Sequence, residues 1–492
     1  MMHGWKKSDP RVVPGKSANK ADPSAAEPME GSGGTKRNAD PQSTDRTQSR
    51  EAVSQAQARI REAVTRNPKE KLTALLHHLT VDMLRCAFSN LKKRAAAGVD
   101  QVAWGDYAAD LDRNLTDLAA RVHRGAYRAL PSRRVYIPKT DGKLRPLGIA
   151  AIEDKIVQAA VVMILTPIYE AQFLGFSYGF RPGRSQHDAL DALAFGIKAR
   201  KVCWVLDADI ARFFDTISHD WLIRFIEHRV GDKRIIRLIQ KWLKAGVLEE
   251  GRLVESLEGT PQGAVISPLL ANIYLHYVYD RWIEQWRRQA NGDVIVVRYA
   301  DDTIVGFQHQ RDAERFLTDL KERLGQFALS LHPEKTRLIE FGKYAAERRS
   351  RRGQGKPETF DFLGFTHICA TKADGSGFQL WRKTVRKRLK AKIRAVKEEL
   401  RRHVHASIAE QGHWLGSVMR GFFAYHAVPT NLMAISAFRH HIIVRWLRVL
   451  RRRSQRHRMT WARMQRIVDR YLPKASVLHP WPDERFRVTH SR

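Results

Sequence analysis

The sequence predicts an α+β chain: strands and helices mixed through most of its length, then a helical, strongly basic C-terminal part. Three observations predict this. Val294-Ile295-Val296-Val297 and Ile304-Val305-Gly306-Phe307 are β-branched apolar runs on either side of a short polar break, the pattern of an antiparallel hairpin. Val205-Leu206-Asp207-Ala208-Asp209-Ile210, preceded by Val202-Cys203-Trp204, is a further strand-like run. Beyond about residue 380 helical patterning takes over, and Trp381 to Arg402 holds eleven Lys or Arg against Glu398 and Glu399.

Taken in order, residues 1 to about 55 are rich in Gly, Pro, Ser, Asn, Asp and Gln, which predicts a disordered basic and polar tail. Helical patterning is expected from near Ala56, with Leu72, Leu75, Leu76 and Leu79 on one face, then Met83, Leu84 and Phe88. Thr80 is expected to cap a second helix and Gly98 to end it, with another helix over Asp106 to Arg124. Residues 135–149 read as a β-hairpin turning at Asp141-Gly142, followed by a helix from Ile152 to Pro167. Strands and hairpins fill roughly 202–341, with helices near 218–245 and 265–290. Residues 342–360 read as a basic loop, after which Phe362-Leu363-Gly364-Phe365 resumes apolar structure. The expected divisions are therefore 1–55, 56–372, 373–475 and a short tail, 476–492.

The chain's 492 residues suffice for two or three domains. Its formal charge of +34 opposes compaction and calls for a polyanionic partner. Cys86, Cys203 and Cys369 are far apart, which argues against a disulfide framework or a zinc site and for a reducing compartment. No run of ~18 apolar residues predicts a membrane span, and the N-terminus has no apolar signal core. The expectation is a cytoplasmic protein, with nucleoid association left open.

Tyr299-Ala300-Asp301-Asp302 carries the chemistry. Adjacent carboxylates at a bend repel each other and make sense when divalent cations neutralise them. Asp207 and Asp209 alternate onto one face of their strand, and acids in so apolar a run are costly unless paired or metal-bound. An acid on one strand beside a hairpin bearing two more suits a two-metal phosphoryl-transfer site, against the plain reading of Asp207, Asp209 and Asp215 as strand-end and capping acids, which would fit two of the three. Lys139, Lys143 and Arg145 crowd around one turn and suit a triphosphate, against the alternative of a solvated turn. In Gly179-Phe180-Arg181-Pro182-Gly183-Arg184, the glycines and proline set a rigid loop carrying Arg181 and Arg184. Phosphate contact is expected there, with a structural salt bridge as the competing reading. In Thr260-Pro261-Gln262-Gly263 the proline and glycine fix a turn, and Gln262 offers both a donor and an acceptor. Arg445 to Arg458 holds seven Arg and no acid, too one-signed for a merely solvated face.

Together these blocks resemble the group II intron-encoded reverse transcriptase/maturase family, from about Leu79 to about Pro482. The resemblance rests on an ordered series: IPKTDGKLRPLGI (137–149), SYGFRPGRSQHDAL (177–190), VLDADIARFFDTISHDWL (205–222), GTPQGAVISPLLANIYL (259–275), VRYADDTIV (297–305), LSLHPEKTRLIEFG (329–342) and FDFLGF (360–365). It implies a right-hand polymerase, with fingers and an antiparallel-sheet palm followed by an α-helical thumb or maturase domain. It implies Asp209, Asp301 and Asp302 as the catalytic, metal-binding acids. Mg²⁺ is the expected ion, in a two-metal site, with Mn²⁺ as the substitute. Phe214 looks like the steric gate against a ribose 2′ hydroxyl, with Phe213 facing the core and Asp207 structural. Lys139, Arg145, Arg181 and Gln262 are the implied deoxynucleotide contacts, and Lys335 the general acid for departing pyrophosphate. The basic helices, Arg451, Arg452 and Arg453 included, are the implied intron-RNA surface. Expected partners are group II intron RNA, an RNA template with a DNA primer, target DNA and dNTPs, with no membrane. Gln101 stands where the family often has a glycine, and no paired cysteines follow, so a form lacking the HNH endonuclease is expected. The rival readings are a reverse transcriptase of another bacterial retroelement, such as a diversity-generating element or a retron, and an RNA-binding splicing factor with a vestigial polymerase site.

Overall fold

Helix Pro41–Arg66 begins the described chain, earlier than the expected start near Ala56. Residues 41–55 are thus helical, contrary to the expected tail. The helix is rich in Ala, Gln, Glu and Arg, all good helix formers, and it buries Val53, Ile60 and Val64. Those three lie seven and four residues apart and seat the helix on Val81–Ser89 and Ile152–Glu170. The computed structural model describes residues 41–138, 144–249, 251–254, 258–372, 374–453 and 459–489.

The chain forms two units, divided near residue 363 and again at residue 380. In the first, Thr80 accepts a hydrogen bond from the Met83 amide as expected, but its helix ends at Ser89. Gly98 instead marks a close approach, because a Cβ there would lie 2.5 Å from Ala151 Cα. The Asp106–Arg124 expectation resolves into two helices, Trp104–Ala108 and Leu111–His123.

The first unit has two four-stranded sheets. Strands β1 (Ser132–Pro138) and β2 (Leu144–Ile149) form the expected hairpin, whose turn lies outside the described residues. They continue into β4 (Val247–Glu249) and β5 (Arg252–Val254), in the order β2-β1-β4-β5. The other sheet has the order β6-β7-β3-β8, from β3 (Trp204–Asp209), β6 (Val294–Tyr299), β7 (Asp302–Phe307) and β8 (Arg337–Glu340). All its pairings are antiparallel. Val205, Leu206, Ile304, Val305 and Phe307 are buried, and helix Gln310–Gly325 covers β3 and β7. This fixes the sheet's register, since a one-residue slip would expose that apolar set.

Strands β9 (Phe360–Phe362), β10 (Phe365–Thr371) and β11 (Phe378–Thr384) lie where the chain passes from the first unit to the second. The expected basic loop contains a short helix, Ala345–Arg351. The second unit is mainly helical: Arg386–Arg402, Ile408–His426, Leu432–Arg452, Trp461–Tyr471 and Pro482–Thr489. Residues 482–489 are therefore helix within the segment expected to be a tail. Leu389, Ile393, Val396 and Leu400 form one face of Arg386–Arg402 and join a core built on Leu415, Met419, Phe438, Ile442 and Trp446. The opposite face is cationic, with Arg386, Lys387, Lys390, Arg394, Lys397 and Arg401 exposed. Gly412 allows the closest approach in this unit, since a Cβ there would lie 2.5 Å from the Tyr471 ring. Among the described residues no helix is long and apolar enough to cross a membrane.

Candidate active site

The pairing of β3 with β7 puts Asp209 directly opposite Asp302. Directly opposed residues of an antiparallel pair have Cβ atoms about 4.5–5.5 Å apart, so the two carboxylates share one end of the sheet. Tyr299 also pairs with Asp302, which leaves Ala300 and Asp301 as a two-residue turn. Ala300 has φ +57° while Asp301 does not share the left-handed region, as in the type II′ turns that suit hairpin twist.

Lys335 Nζ lies 2.7 Å from Asp209 Oδ2. Its position follows from the backbone: the His332 amide donates to Asp209 O at 2.7 Å, and the Ala211 amide donates to Ser330 O at 2.8 Å. Asp207 shares the Asp209 face of β3. Burial, then the charges of Asp302 and Asp209, push its carboxyl up to about 7, against the pull of Arg337 on β8. The site is thus a field of mutually repelling carboxylates at a sheet end.

Phe213–Asp215 forms a single turn after Arg212, whose φ is +45°. Phe213 is buried, as expected, and packs edge-on against a half-buried Phe214 at 5.5 Å. The Thr260 amide donates to Phe214 O at 2.7 Å and the Gly259 amide to Ile217 O at 2.8 Å. Gly259 has φ +83°, and a Cβ there would lie 2.8 Å from Asp215 O. Gln262 Nε2 points to Asp215 Oδ1 at 3.4 Å, while Gln262 O accepts from the Gly148 amide at 2.6 Å. The segment after Asp209, the Thr260–Gly263 turn and β2 therefore hold one another in place.

Residues 137–367 match the reverse transcriptase (RNA-dependent DNA polymerase) family. The chain is 34% identical to Protein YkfC of Escherichia coli over 346 residues, 61% of this chain and 90% of that protein. It is 37% identical to the group II intron-encoded protein LtrA of Lactococcus lactis over 234 residues, 46% of this chain but 38% of LtrA. It is 25% identical to nuclear intron maturase 2, mitochondrial, of Arabidopsis thaliana over 288 residues, 50% of this chain and 36% of that one. The chain belongs to the group II intron-encoded reverse transcriptase/maturase family. Its chemistry is RNA-directed DNA polymerisation, which runs on divalent cations.

The acids of this reverse transcriptase suit such ions. A hard dication takes a few carboxylates and completes its shell with waters and phosphates, and the crowding that raises Asp207 is the charge a dication would relieve. The protein brings Asp209 and Asp302 together with Asp301 in the adjoining turn. It does not close them into a chelating cluster, as no three His, Cys, Asp or Glu among the described residues are grouped to hold an ion.

Other implied contacts of the reverse transcriptase divide. Arg145 is half-buried on β2, opposite Ile137. Lys139 lies outside the described residues. Arg181 requires a correction. It is 7% exposed, with Nε and Nη2 on Glu170 at 2.9–3.1 Å and Nη1 on the carbonyls of Leu174 and Ser177 at 2.8 Å. With its donors committed inside the fold, it is the structural salt bridge that was the competing reading, not a nucleotide contact. Arg452 is exposed on its helix, but Arg451 Nε donates to Met459 O at 3.0 Å and Arg453 donates to Ala406 O. Those two spend part of their guanidinium on the fold.

One group beside the turn of Ala300 and Asp301 is not singled out by the sequence reading: Arg298, wholly buried with Asp280. The available signal is an arginine inside the apolar run 294–299 and an aspartate inside the largely apolar run 273–283, which also carries Arg281, since buried charges come in pairs.

Proposed function

We propose that this reverse transcriptase binds the RNA of its host group II intron, assists its splicing and copies it into DNA at a target site. The observation that carries the polymerase part is Asp209 facing Asp302 across β3 and β7, with Asp301 in the turn between β6 and β7. These three acids hold the divalent ions, Mg²⁺ in the ordinary case and Mn²⁺ as a substitute. When bound, such ions activate the primer 3′ hydroxyl and neutralise the departing pyrophosphate.

The chain's own residues do the rest. Lys335, already on Asp209, supplies a proton toward pyrophosphate. Lys139 and Arg145 grip the triphosphate. Phe214 excludes a 2′ hydroxyl by clash, and Gln262 lines the nucleotide pocket. The helical second unit acts as the thumb, and its cationic faces follow RNA phosphates without reading sequence. LtrA is by name encoded by a group II intron, and the Arabidopsis relative is by name an intron maturase; those names support the splicing role. Primer extension on an RNA template, beside a splicing assay with the intron that surrounds this reading frame, tests the two roles separately.

A further inference from the structure

The Tyr299–Asp302 turn has a weak point. Ala300 is left-handed at φ +57°, a conformation that strains a residue bearing a side chain and persists only where the surroundings over-determine it. The surroundings do so through Arg298, 1% exposed, whose guanidinium reaches four groups. Nη1 donates to Ala300 O at 2.9 Å and to Asn272 Oδ1 at 3.1 Å. Nη2 donates to Ser177 Oγ at 2.7 Å and to Asp280 Oδ2 at 2.6 Å, and Nε to Asp280 Oδ1 at 2.7 Å. Asp280 is fully buried and ends a π-helical turn, His276–Asp280, of the kind often found at functional sites.

The other side of the turn is closed by the same group. The Tyr178 amide donates to Arg298 O at 2.8 Å and the Arg298 amide to Phe176 O at 2.9 Å. Asn272 Nδ2 donates to Gly179 O at 2.7 Å. Gly179 lies so close that a Cβ there would be 2.3 Å from the Ala300 nitrogen. Ala300 is therefore held at its carbonyl by Arg298 and hemmed at its nitrogen by a glycine that Asn272 fixes.

We propose that Arg298, anchored by Asp280, is a positioning residue for catalysis: it holds the Ala300 carbonyl, and so aims Asp301 and Asp302 at the ions and the incoming nucleotide. The inference rests on the reading of those acids as the metal-binding pair. Arg298 touches no substrate. It acts through the turn, and a fork of fixed N–H directions is needed to do so, which the point charge of lysine lacks.

The test uses the full chain with Arg298→Lys, Ala300→Gly and the double variant. Hydrogen–deuterium exchange over residues 298–305 reports the turn without any turnover, beside melting temperature, primer-template affinity, kcat and the Mg²⁺ concentration giving half-maximal extension. Arg298→Lys should speed exchange in the turn, lower kcat about 10²-fold, as small misplacements can, and raise the Mg²⁺ requirement, with primer-template affinity near wild type. Glycine takes positive φ without strain, so Ala300→Gly added to Arg298→Lys should recover part of kcat. Unchanged exchange in the turn, or an activity loss that only follows melting temperature and is not recovered by glycine, would overturn the proposal. If Arg298→Lys does not fold, Ser177→Ala removes one acceptor and leaves the ion pair; faster exchange in the turn supports the clamp and unchanged exchange overturns it. Full activity in Asp301→Ala would instead sink the metal-site reading itself, whereas a dead Asp301→Ala beside a wild-type-like Arg298→Lys would sink this inference alone.

Discussion

Lys335 and Asp209, 126 positions apart in the chain, meet at 2.7 Å. The contact is built by backbone: residues 330–332 run back along the end of β3, and the His332 amide is bound to Asp209 O. A lysine that looks like a surface residue in isolation is thereby set on Asp209, the acid that faces Asp302 across the sheet.

The Lys335 side chain is 60% exposed, and exposed ion pairs contribute only about 0–1 kcal/mol to stability. Lys335→Ala should therefore leave the melting temperature nearly unchanged while slowing single-turnover nucleotide addition by about 10²-fold or more, the usual worth of a positioned proton donor. Single-turnover kinetics with saturating dNTP measure this directly. A wild-type rate would show that the lysine merely shields Asp209.

Asp301→Ala should abolish DNA synthesis and leave RNA affinity almost intact, because Asp301 lies in the turn between β6 and β7, outside both strands and far along the chain from the basic helices. Primer extension and a filter-binding assay on the same preparation check it. Normal extension would mean that the turn acid is not a metal ligand.

Phe214→Ala should raise ribonucleotide incorporation relative to deoxynucleotide, and competition between rNTP and dNTP on one template reads the ratio. Phe213 is 3% exposed, so Phe213→Ala should instead cost about 3–5 kcal/mol of stability with the ratio unchanged. A ratio that moves in Phe213→Ala and not in Phe214→Ala would shift the gate by one residue.

Much of the palm was readable from sequence because its strands are β-branched runs with a period of two, and because paired acids in apolar surroundings have few uses. What was not readable depends on tertiary neighbours. Among the described side chains of helix Pro41–Arg66, Val53 is the one buried apolar residue before Ala56, so the polar composition of 41–55 reads as a tail. Gly98 looks like a helix end, yet it is a contact with Ala151 from a distant helix. Arg181 sits in a glycine- and proline-rich loop that suits phosphate contact, and nothing nearby in sequence shows that Glu170 bends back to meet it. Arg298 and Asp280 each look anomalous alone, and only their pairing explains both.

Asp154 gives a pH signature. Burial pushes its carboxyl up to about 6, although the Tyr127 hydroxyl and the Leu130 amide both donate to it and oppose the rise. The native state thus holds this proton more tightly than the unfolded chain. Its stabilising effect is complete below the ordinary value of 3.8 and is lost as pH rises toward about 6. The swing is at most about 3 kcal/mol. In melting curves from pH 4 to 8, wild type should lose stability relative to Asp154→Asn across that window and run parallel to it above. Parallel curves throughout would mean that the buried carboxyl is matched in the unfolded chain.

The RNA surface of the second unit can be tested apart from its fold. Arg448 and Arg452 are exposed on helix Leu432–Arg452, whereas Arg451 and Arg453 also bind the carbonyls of Met459 and Ala406. Replacing all of Arg451, Arg452 and Arg453 would therefore mix loss of charge with loss of structure. Arg448→Gln with Arg452→Gln removes charge alone. If these side chains meet intron RNA phosphates, affinity should fall and the slope of log affinity against log salt should flatten by about 0.7–0.9 for each charge removed. Extension of a short primer at saturating template should suffer less, because the palm and fingers still hold the duplex. Arg453→Gln should instead lower the melting temperature of the second unit. Equal loss of RNA affinity and extension in the double variant would make this helix a duplex clamp, and no change in either would make its arginines a solvated face.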